Sequence, residues 1–293
     1  MIHCTAQWVA ADLRKRESLQ VQLHSVHEHV VNFSVEGQPR MLMIASPDMY
    51  RGPSAIGLSN SDLAYLFRVL QYESKGKLEP GELVIGHGDS GIAISLVTAV
   101  IDFSVPPCAY LDSSRLHASL NLARSIFHNG KTMASSVNLL AREAGDSILH
   151  QSLEGGLSDL VESVVSEDDL AFVDACRELV GLGYGSTPTG DDLIHGVLLT
   201  HYYYRSASNL PWRFLSIPED ILSSTTAMGQ HMLSIGSQGL TLEPVRNFLL
   251  SLLGGYIDSK TVHQLFRIGA TSGVDIGVAA SVALGELIKQ VKS

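Results

Sequence analysis

The densest group of residues able to do chemistry is Gly181-Leu182-Gly183-Tyr184-Gly185-Ser186-Thr187-Pro188-Thr189-Gly190-Asp191-Asp192, wedged between two apolar stretches. Four glycines and a proline within ten positions lose more backbone entropy on ordering than a plain connector would, so a tight loop geometry is expected here. The spacing Gly185-x-x-x-x-Gly190 matches the start of a phosphate-binding P-loop. Asp191 and Asp192, however, stand where that motif needs Lys and Ser/Thr, and a helix precedes instead of a strand. The dinucleotide pattern G-x-G-x-x-G fails as well, because Ser186 or Pro188 takes the place of its last glycine. What remains is a helix start with Thr189 or Asp191 as cap, Asp192 in the first turn, and Leu193, Ile194, Val197 and Leu198 burying the body. Such a start attracts anions through its free amides, but two adjacent carboxylates repel them. A ligand bound here must therefore carry N–H or cationic groups, or arrive with Mg2+. A plain capped helix is the other reading of the same residues.

A second segment repeats the order hydroxyl, Gly, any residue, Asp. In Gly269-Ala270-Thr271-Ser272-Gly273-Val274-Asp275, Ser272, Gly273 and Asp275 match Thr189, Gly190 and Asp192, and again a long apolar helix follows. Caps are built from these same residue types, so two unrelated caps would look alike. If the two starts face each other, Asp192 and Asp275 line one cleft, with hydroxyls and amides around them. His195 stands one helical turn beyond Asp191, within reach of a hydrogen bond to it.

Other signals are weaker. Gly88-Asp89-Ser90-Gly91 resembles the nucleophile segment of trypsin-like proteases, but Ile92 replaces the glycine expected next, and a turn is the better reading. His24, His27 and His29 lie on a strand-like stretch at mixed parity and cannot converge from one face, and no H-E-x-x-H is present, so no metal site is assigned. His201 reads as the polar end of a core helix, and His231 and His263 as core or surface histidines.

The elements that must position these residues change character near residue 110. Before it, Val21, Leu23 and Val26, then Val30, Val31, Phe33 and Val35, recur at near-alternate positions. The turn Glu36-Gly37-Gln38-Pro39 and the run 41–45 follow, which predicts a hairpin. Segments 83–85 and 92–96, flanking three glycines, predict a second hairpin. Between the two, Leu63, Leu66, Phe67 and Leu70 have helical spacing. Beyond Pro106-Pro107 the period lengthens. Helical stripes are expected at Leu116–Leu120–Ala123–Phe127, at Val137–Leu140–Ala141 and at Leu170–Val173–Leu179, the last behind Glu167-Asp168-Asp169. Further helices are expected over 193–204, 221–233, 245–253, 262–266 and 274–291. The fold class is therefore α+β, with a β-rich domain over 1–110 and a helical domain over 111–293 that carries both Gly/Thr/Asp segments.

Composition bounds the function. Thirty Asp and Glu against 20 Lys and Arg give a formal charge of −10, and no basic run exceeds Arg14-Lys15-Arg16, so the footprint of nucleic-acid binding is missing. Cys4, Cys108 and Cys176 are scattered and never in C-x-x-C spacing, which suits a reducing cytoplasm. The basic cluster follows the short apolar stretch 8–11 where a secretory signal has the reverse order, and the longest apolar run, near 92–101, is half of the ~20 residues a membrane helix needs. No membrane partner is expected.

Together the two segments resemble the signature of a bacterial family, G-x-G-x-G-x-T-P-[ST]-x-D-D followed by G-x-[TS]-S-G-x-D. This is the AllH family, whose member with an assigned role is a subunit of the oxamate carbamoyltransferase of anaerobic allantoin breakdown. Val30-Val31-Asn32-Phe33, the strand to Ala45-Ser46, and Arg51-Gly52-Pro53 are similar to the family's opening strands and Gly-Pro turn. Ser186, Thr189 and His195 depart from the residues usual there. The resemblance implies a cytoplasmic subunit of purine nitrogen catabolism that works with AllF-like and AllG-like proteins on a small amide or ureido acid and carbamoyl phosphate. It further implies catalytic roles for Asp191, Asp192 and Thr187, and ligand contacts from Gly185, Ser186, Thr189, Gly190, His195, Thr271, Ser272, Gly273 and Asp275. Two other functions fit the same residues: a non-catalytic ligand-binding or scaffold subunit, and an amide hydrolase using the same carboxylates.

Overall fold

A computed structural model describes residues 2–14, 18–71, 73–86, 91–106, 113–129 and 147–290. The chain divides into two compact units, Met1–Phe103 and Ser104–Ser293. The architecture is α+β, with a strand-built N-terminal unit and a helical C-terminal unit.

The first unit is one ten-stranded mixed sheet. Its strands are β1 (Ile2–Thr5), β2 (Trp8–Ala10), β3 (Leu19–His27), β4 (Val30–Val35), β5 (Met41–Ala45), β6 (Ala55–Gly57), β7 (Lys75–Glu79), β8 (Glu82–Ile85), β9 (Ile92–Ser95) and β10 (Ala99–Ile101), in the order β1-β9-β8-β7-β3-β4-β5-β6-β2-β10. Both expected hairpins form. β3, β4 and β5 pair antiparallel in succession, with Gly37 in the left-handed region (φ 68°) at the second turn, and β8 pairs antiparallel with β9. The β3–β4 ladder is bulged between Leu23 and Ser25, so His24 has no opposite residue. The helix expected in between is α2 (Asn60–Val69), preceded in the chain by the short α1 (Ala11–Arg14), and Ser59 caps it by accepting from the Asp62 amide.

Two residues separate β1 from β2, although these strands stand far apart in the strand order, and a two-residue link spans only ~7 Å. The sheet must therefore curl until its ends meet, and the Ala6 amide on the Ser95 carbonyl and the Gln7 amide on the Gly57 carbonyl close the seam. Gly57 is required here, because a Cβ on it would lie 2.0 Å from Trp8 Nε1. Val9, Val31, Phe33, Ile44, Ile56, Leu58, Leu66, Leu83 and Ile94, all fully buried, fill the interior.

The helical unit contains α3 (Ser113–Asn129), α4 (Ile148–Val165), α5 (Asp169–Leu179), α6 (Thr189–Ala207), α7 (Glu219–Leu222), α8 (Ala227–Gly236), α9 (Glu243–Leu253), α10 (Ser259–Leu265) and α11 (Ser272–Gln290). Helix α6 is the axis of the unit. Only Thr189, Arg205 and Ser206 escape burial along it, as expected for a helix that is apolar around its whole circumference. Helix α11 packs along α6, and α3 packs on α11 at Gly277, where a Cβ would come 2.4 Å from the Phe127 ring.

Two expectations are corrected. The stretch 221–233 is not one helix: α7 ends at Leu222, and Thr226 caps a new helix by accepting from the Gly229 amide. Four consecutive hydroxyl residues, Ser223 to Thr226, favour such a break, because their side chains bond the backbone more readily at caps than inside a helix. His201 is not a polar end; it is buried within α6, with Nε2 3.3 Å from the Arg213 carbonyl oxygen. The helical stripe at 137–141, the turn at Gly88–Ser90 and Cys108 lie outside the described residues.

Candidate functional site

The loop before α6 is shaped by glycine. Gly181, Gly183 and Gly185 all have positive φ (76°, 117° and 98°), and a Cβ on Gly183 would press within 2.8 Å of the Thr189 nitrogen. The chain thus folds over the helix start, where Pro188, with φ −54° and ψ 148°, occupies the cap position without any side-chain cap. This corrects the expected cap. Thr189 is the first helical residue, and Asp191 and Asp192 both belong to the first turn. The Gly190 amide, a candidate donor to a ligand, is instead bonded to the Leu182 carbonyl at 2.8 Å.

The second segment copies this geometry. In the first, the Leu182 amide bonds the Leu179 carbonyl and the Gly190 amide bonds Leu182; in the second, the Ile268 amide bonds Leu265 and the Gly273 amide bonds Ile268. A Cβ on Gly190 would lie 1.9 Å from the Leu179 carbonyl oxygen, and one on Gly273 would lie 1.9 Å from that of Leu265. In both, only glycine lets the helix start slide under the end of the preceding helix. The loop before α6 is simply longer.

The two helices then run side by side in the same direction. Asp275 acts electrostatically on Asp192, a Cβ on Gly196 would lie 2.9 Å from Ala279 Cβ, and the Tyr204 hydroxyl donates to the Leu287 carbonyl at 3.4 Å. Each of these pairs is 83 positions apart in the sequence, so α6 and α11 are parallel and in register, and their N-termini lie together. The small residue at Gly196 sets the close approach, since its Cβ would also meet the Ile276 carbonyl oxygen at 2.5 Å.

This brings Asp192 and Asp275 together, with exposures of 1% and 0%. Thr187 Oγ1 and Ser272 Oγ are 2.7 Å apart and bridge the two segments, and the Asp192 carboxyl, on which both act, has its Oδ2 without a hydrogen-bond partner. Burial first, and the Asp275 charge second, push the Asp192 carboxyl well above the usual carboxylate range; the Ser272 and Thr187 hydroxyls oppose this only in part. Thr187 and Ser272 are half-buried, so hydroxyls stand at the surface over carboxyls held beneath it. The expected cleft is thus a buried carboxyl pair under a polar cover.

Asp191 faces another way. Its Oδ1 accepts from the Gly181 amide at 2.8 Å and its Oδ2 from the Thr225 hydroxyl, while Gly229 of α8 packs against it. The Thr226 hydroxyl donates to the Ser186 carbonyl. Asp191 and the hydroxyls of the α7–α8 turn therefore tie the glycine loop down. Burial raises the Asp191 pKa, and these two bonds pull it back. The sequence reading missed Thr225 and Thr226; the run of four hydroxyl residues was their one local signal. His195 does not bond Asp191. It is fully buried towards α8, with Nε2 3.1 Å from Thr241 Oγ1 and with Gly236 beside its ring. Burial lowers its pKa to about 4, so it is a neutral packed histidine. Gly185 and Ser186 are exposed on the loop, and Thr189 and Thr271 are half-buried at the two helix starts, where the Thr271 carbonyl accepts from the Asp275 amide. His24, His27 and His29 are exposed on and beside β3.

No described helix is long and apolar enough to cross a membrane. Two family models match the chain. One, described as oxamate carbamoyltransferase subunit AllH, covers residues 179–284 and so begins at the end of α5 and takes in both glycine loops. The other, described as the AllH family N-terminal domain, covers residues 4–101, nearly the whole sheet. No solved structure matches.

Proposed function

Since the chain belongs to the AllH family, we propose that it is the AllH-type subunit of an oxamate carbamoyltransferase, working in cytoplasmic allantoin and purine nitrogen catabolism with AllF-like and AllG-like partners. The observation that carries this reading is the match of the subunit model to residues 179–284, the stretch that folds into the paired helix starts.

Carbamoyl transfer requires the acceptor nitrogen to be oriented and relieved of a proton, and the carbonyl oxygen to be stabilised as negative charge develops on it. The paired helix starts hold groups suited to both tasks. Asp192, whose carboxyl burial and the Asp275 charge hold above the usual carboxylate range, is the candidate proton acceptor. Thr187 and Ser272 offer hydroxyl donors at the surface, and the exposed backbone of Gly185 and Ser186 with the half-buried Thr189 and Thr271 forms the rim. Asp191 is a positioning residue that holds the loop over this site.

Among the described residues the site has acceptors and hydroxyls but no complete set of nucleophile, base and orienter, which supports a division of labour between subunits. The test is phosphate release from carbamoyl phosphate in the presence of oxamate, measured for this chain alone and for its mixture with AllF-like and AllG-like partners. Activity only in the mixture is expected. Full turnover by the lone chain overturns the subunit reading, and inactivity of both leaves a binding or scaffold role or another substrate.

A further inference from the structure

Helix α4 carries two adjacent glycines, Gly155 and Gly156, and the fold needs only the second. A Cβ on Gly156 would lie 2.7 Å from Leu179 Cδ2, whereas one on Gly155 meets nothing within 4 Å. Glycine inside a helix is destabilising relative to alanine, so Gly155 keeps open a gap that packing among the described residues does not use. That gap belongs to a groove of about 500 Å³ between α4 and α11. Its buried lining is apolar, Leu157 and Val161, with Val282 of α11 half-buried across from them, and its polar side chains stand on the rim. A small-molecule site would instead aim a few polar groups into the apolar hollow. The rim is acidic. It consists of Glu154 and Glu162 of α4 and Glu286 of α11, the last of which lies 2.7 Å from Lys289 of its own helix. Among the described residues, Glu154 and Glu162 form no ion pair. Along α4 the groove runs from Glu154 to Val165, ~16 Å or about three helical turns. Val165 also lines a second hollow of about 240 Å³, together with Leu210 and Leu287.

We propose that this groove is the docking site for a basic amphipathic helix of a partner subunit, with small or apolar side chains on the face that meets Gly155 and Lys or Arg beside them. Two helices already form the walls, and a third laid between them makes an ordinary helix-on-helix contact. The missing Cβ at Gly155 lets its backbone come close, as Gly196 does between α6 and α11. Charge decides the kind of occupant. A second copy laid on this face sets Glu154 and Glu162 against themselves, in a chain whose formal charge is −10, so self-pairing is repulsive. A basic helix meets the rim with opposite charge, which speeds the encounter and fixes its placement along the groove. The proposal rests on the reading of the chain as one subunit of a multi-subunit enzyme, and it names the face that is used and the chemistry of what covers it.

The test measures binding of the full chain to the AllF-like and AllG-like proteins by titration calorimetry, for wild type, for Gly155→Ala, and for Glu154→Lys combined with Glu162→Lys. A photo-crosslinking benzoylphenylalanine placed at Ser158, on the exposed lining, reports what lies in the groove once the cross-linked peptides are mapped. Gly155→Ala is expected to unfold at or above the wild-type temperature and yet to bind less tightly, a combination that a purely structural role would not produce. The double variant is expected to fold and to bind about tenfold more weakly or worse, and wild-type binding to weaken with added salt. The cross-link is expected on a partner helix that carries Lys or Arg beside an apolar stripe. Wild-type affinity in the double variant, or a cross-link to a second copy or within the chain itself, overturns the proposal and leaves the subunit reading standing. No complex with either protein removes both. Phosphate release is scored separately, so a complex that assembles through the groove without turnover keeps the docking site and removes the transferase reading.

Discussion

Replacing Gly190 by alanine places a methyl carbon 1.9 Å from the Leu179 carbonyl oxygen, and replacing Gly273 places one 1.9 Å from that of Leu265. Ordinary contact begins at 3.4 Å, so the helix start must move by about 1.5 Å relative to a backbone atom that cannot rotate away. Overpacking of this kind costs about 1 to 3 kcal/mol, occasionally more. Alanine recovers roughly 0.5 to 1 kcal/mol over glycine inside a helix. Each variant should therefore lose about 1 kcal/mol net, which for a unit of this size lowers Tm by roughly 2 to 4 °C. Gly155 of α4 is the internal control, because a Cβ there meets nothing within 4 Å; Gly155→Ala should gain about 0.5 to 1 kcal/mol. Urea and thermal unfolding of the three variants measure the series. Wild-type stability in Gly190→Ala, or costs at the two sites that differ by more than about 1 kcal/mol, would refute the claim that the segments are equivalent and closely packed.

Asp192 binds its proton more tightly in the folded chain than its ordinary value of 3.8 implies. Its contribution is therefore fully present below that value and is lost as pH rises above it, by ~1.4 kcal/mol per pH unit while the extra proton is held. Asp192→Asn should flatten this fall, with the variant gaining on wild type towards neutral pH in urea titrations run from pH 4 to 8. His195 acts in the opposite sense: its pKa drops from 6.5 to about 4, so the stability it contributes is present above 6.5 and is lost as pH falls towards 4. His195→Asn should therefore lose less stability than wild type over that acid interval. Asp191→Ala leaves the Gly181 amide and the Thr225 hydroxyl without their acceptor at a cost of about 1 to 3 kcal/mol, and should make the 181–187 loop sensitive to limited proteolysis.

The elements were legible wherever the hydrophobic period was clean. Alternation in β3 and β4, the apolar run of β5, the stripe of α2, and the apolar body of α6 each gave the right element, because one face or the whole circumference of each is buried. The recurrence of hydroxyl, Gly, any residue, Asp was legible too, and the structure brings Asp192 and Asp275 together. What could not be read was direction. Adjacent carboxylates such as Asp191 and Asp192 look interchangeable in a sequence, yet neighbours on a helix point about 100° apart, so one turns to α8 and the other to α11. His195 follows Asp191 on the same face one turn later, but α8 fills the space between that face and solvent, and Thr241 supplies the bond instead. The break at 223–226 escaped because Thr225 and Thr226 answer to Asp191 and Ser186, 34 and 40 positions away, partners that no local pattern contains.

A pair of like charges beneath the surface also says something about why the unit is built as it is. Consecutive helices joined by a short loop run antiparallel, so two helix starts meet only when the chain returns after intervening helices, as it does between α6 and α11. The recurrence of one loop design at an 83-residue interval achieves that, and it places a first-turn carboxylate from each copy at one point. Packing alone gives no reason for the arrangement: buried charged groups stabilise a fold no better than apolar side chains of similar volume. One helix start with one carboxylate is an ordinary local arrangement whose charge the backbone dipole supports. Two starts together place two buried carboxyls beside the Thr187–Ser272 hydroxyl pair, with the Asp192 Oδ2 left without a hydrogen-bond partner. The duplication therefore sets side by side two carboxyls that neither copy would bring together alone, and their repulsion adds to burial in raising the Asp192 carboxyl above its ordinary range.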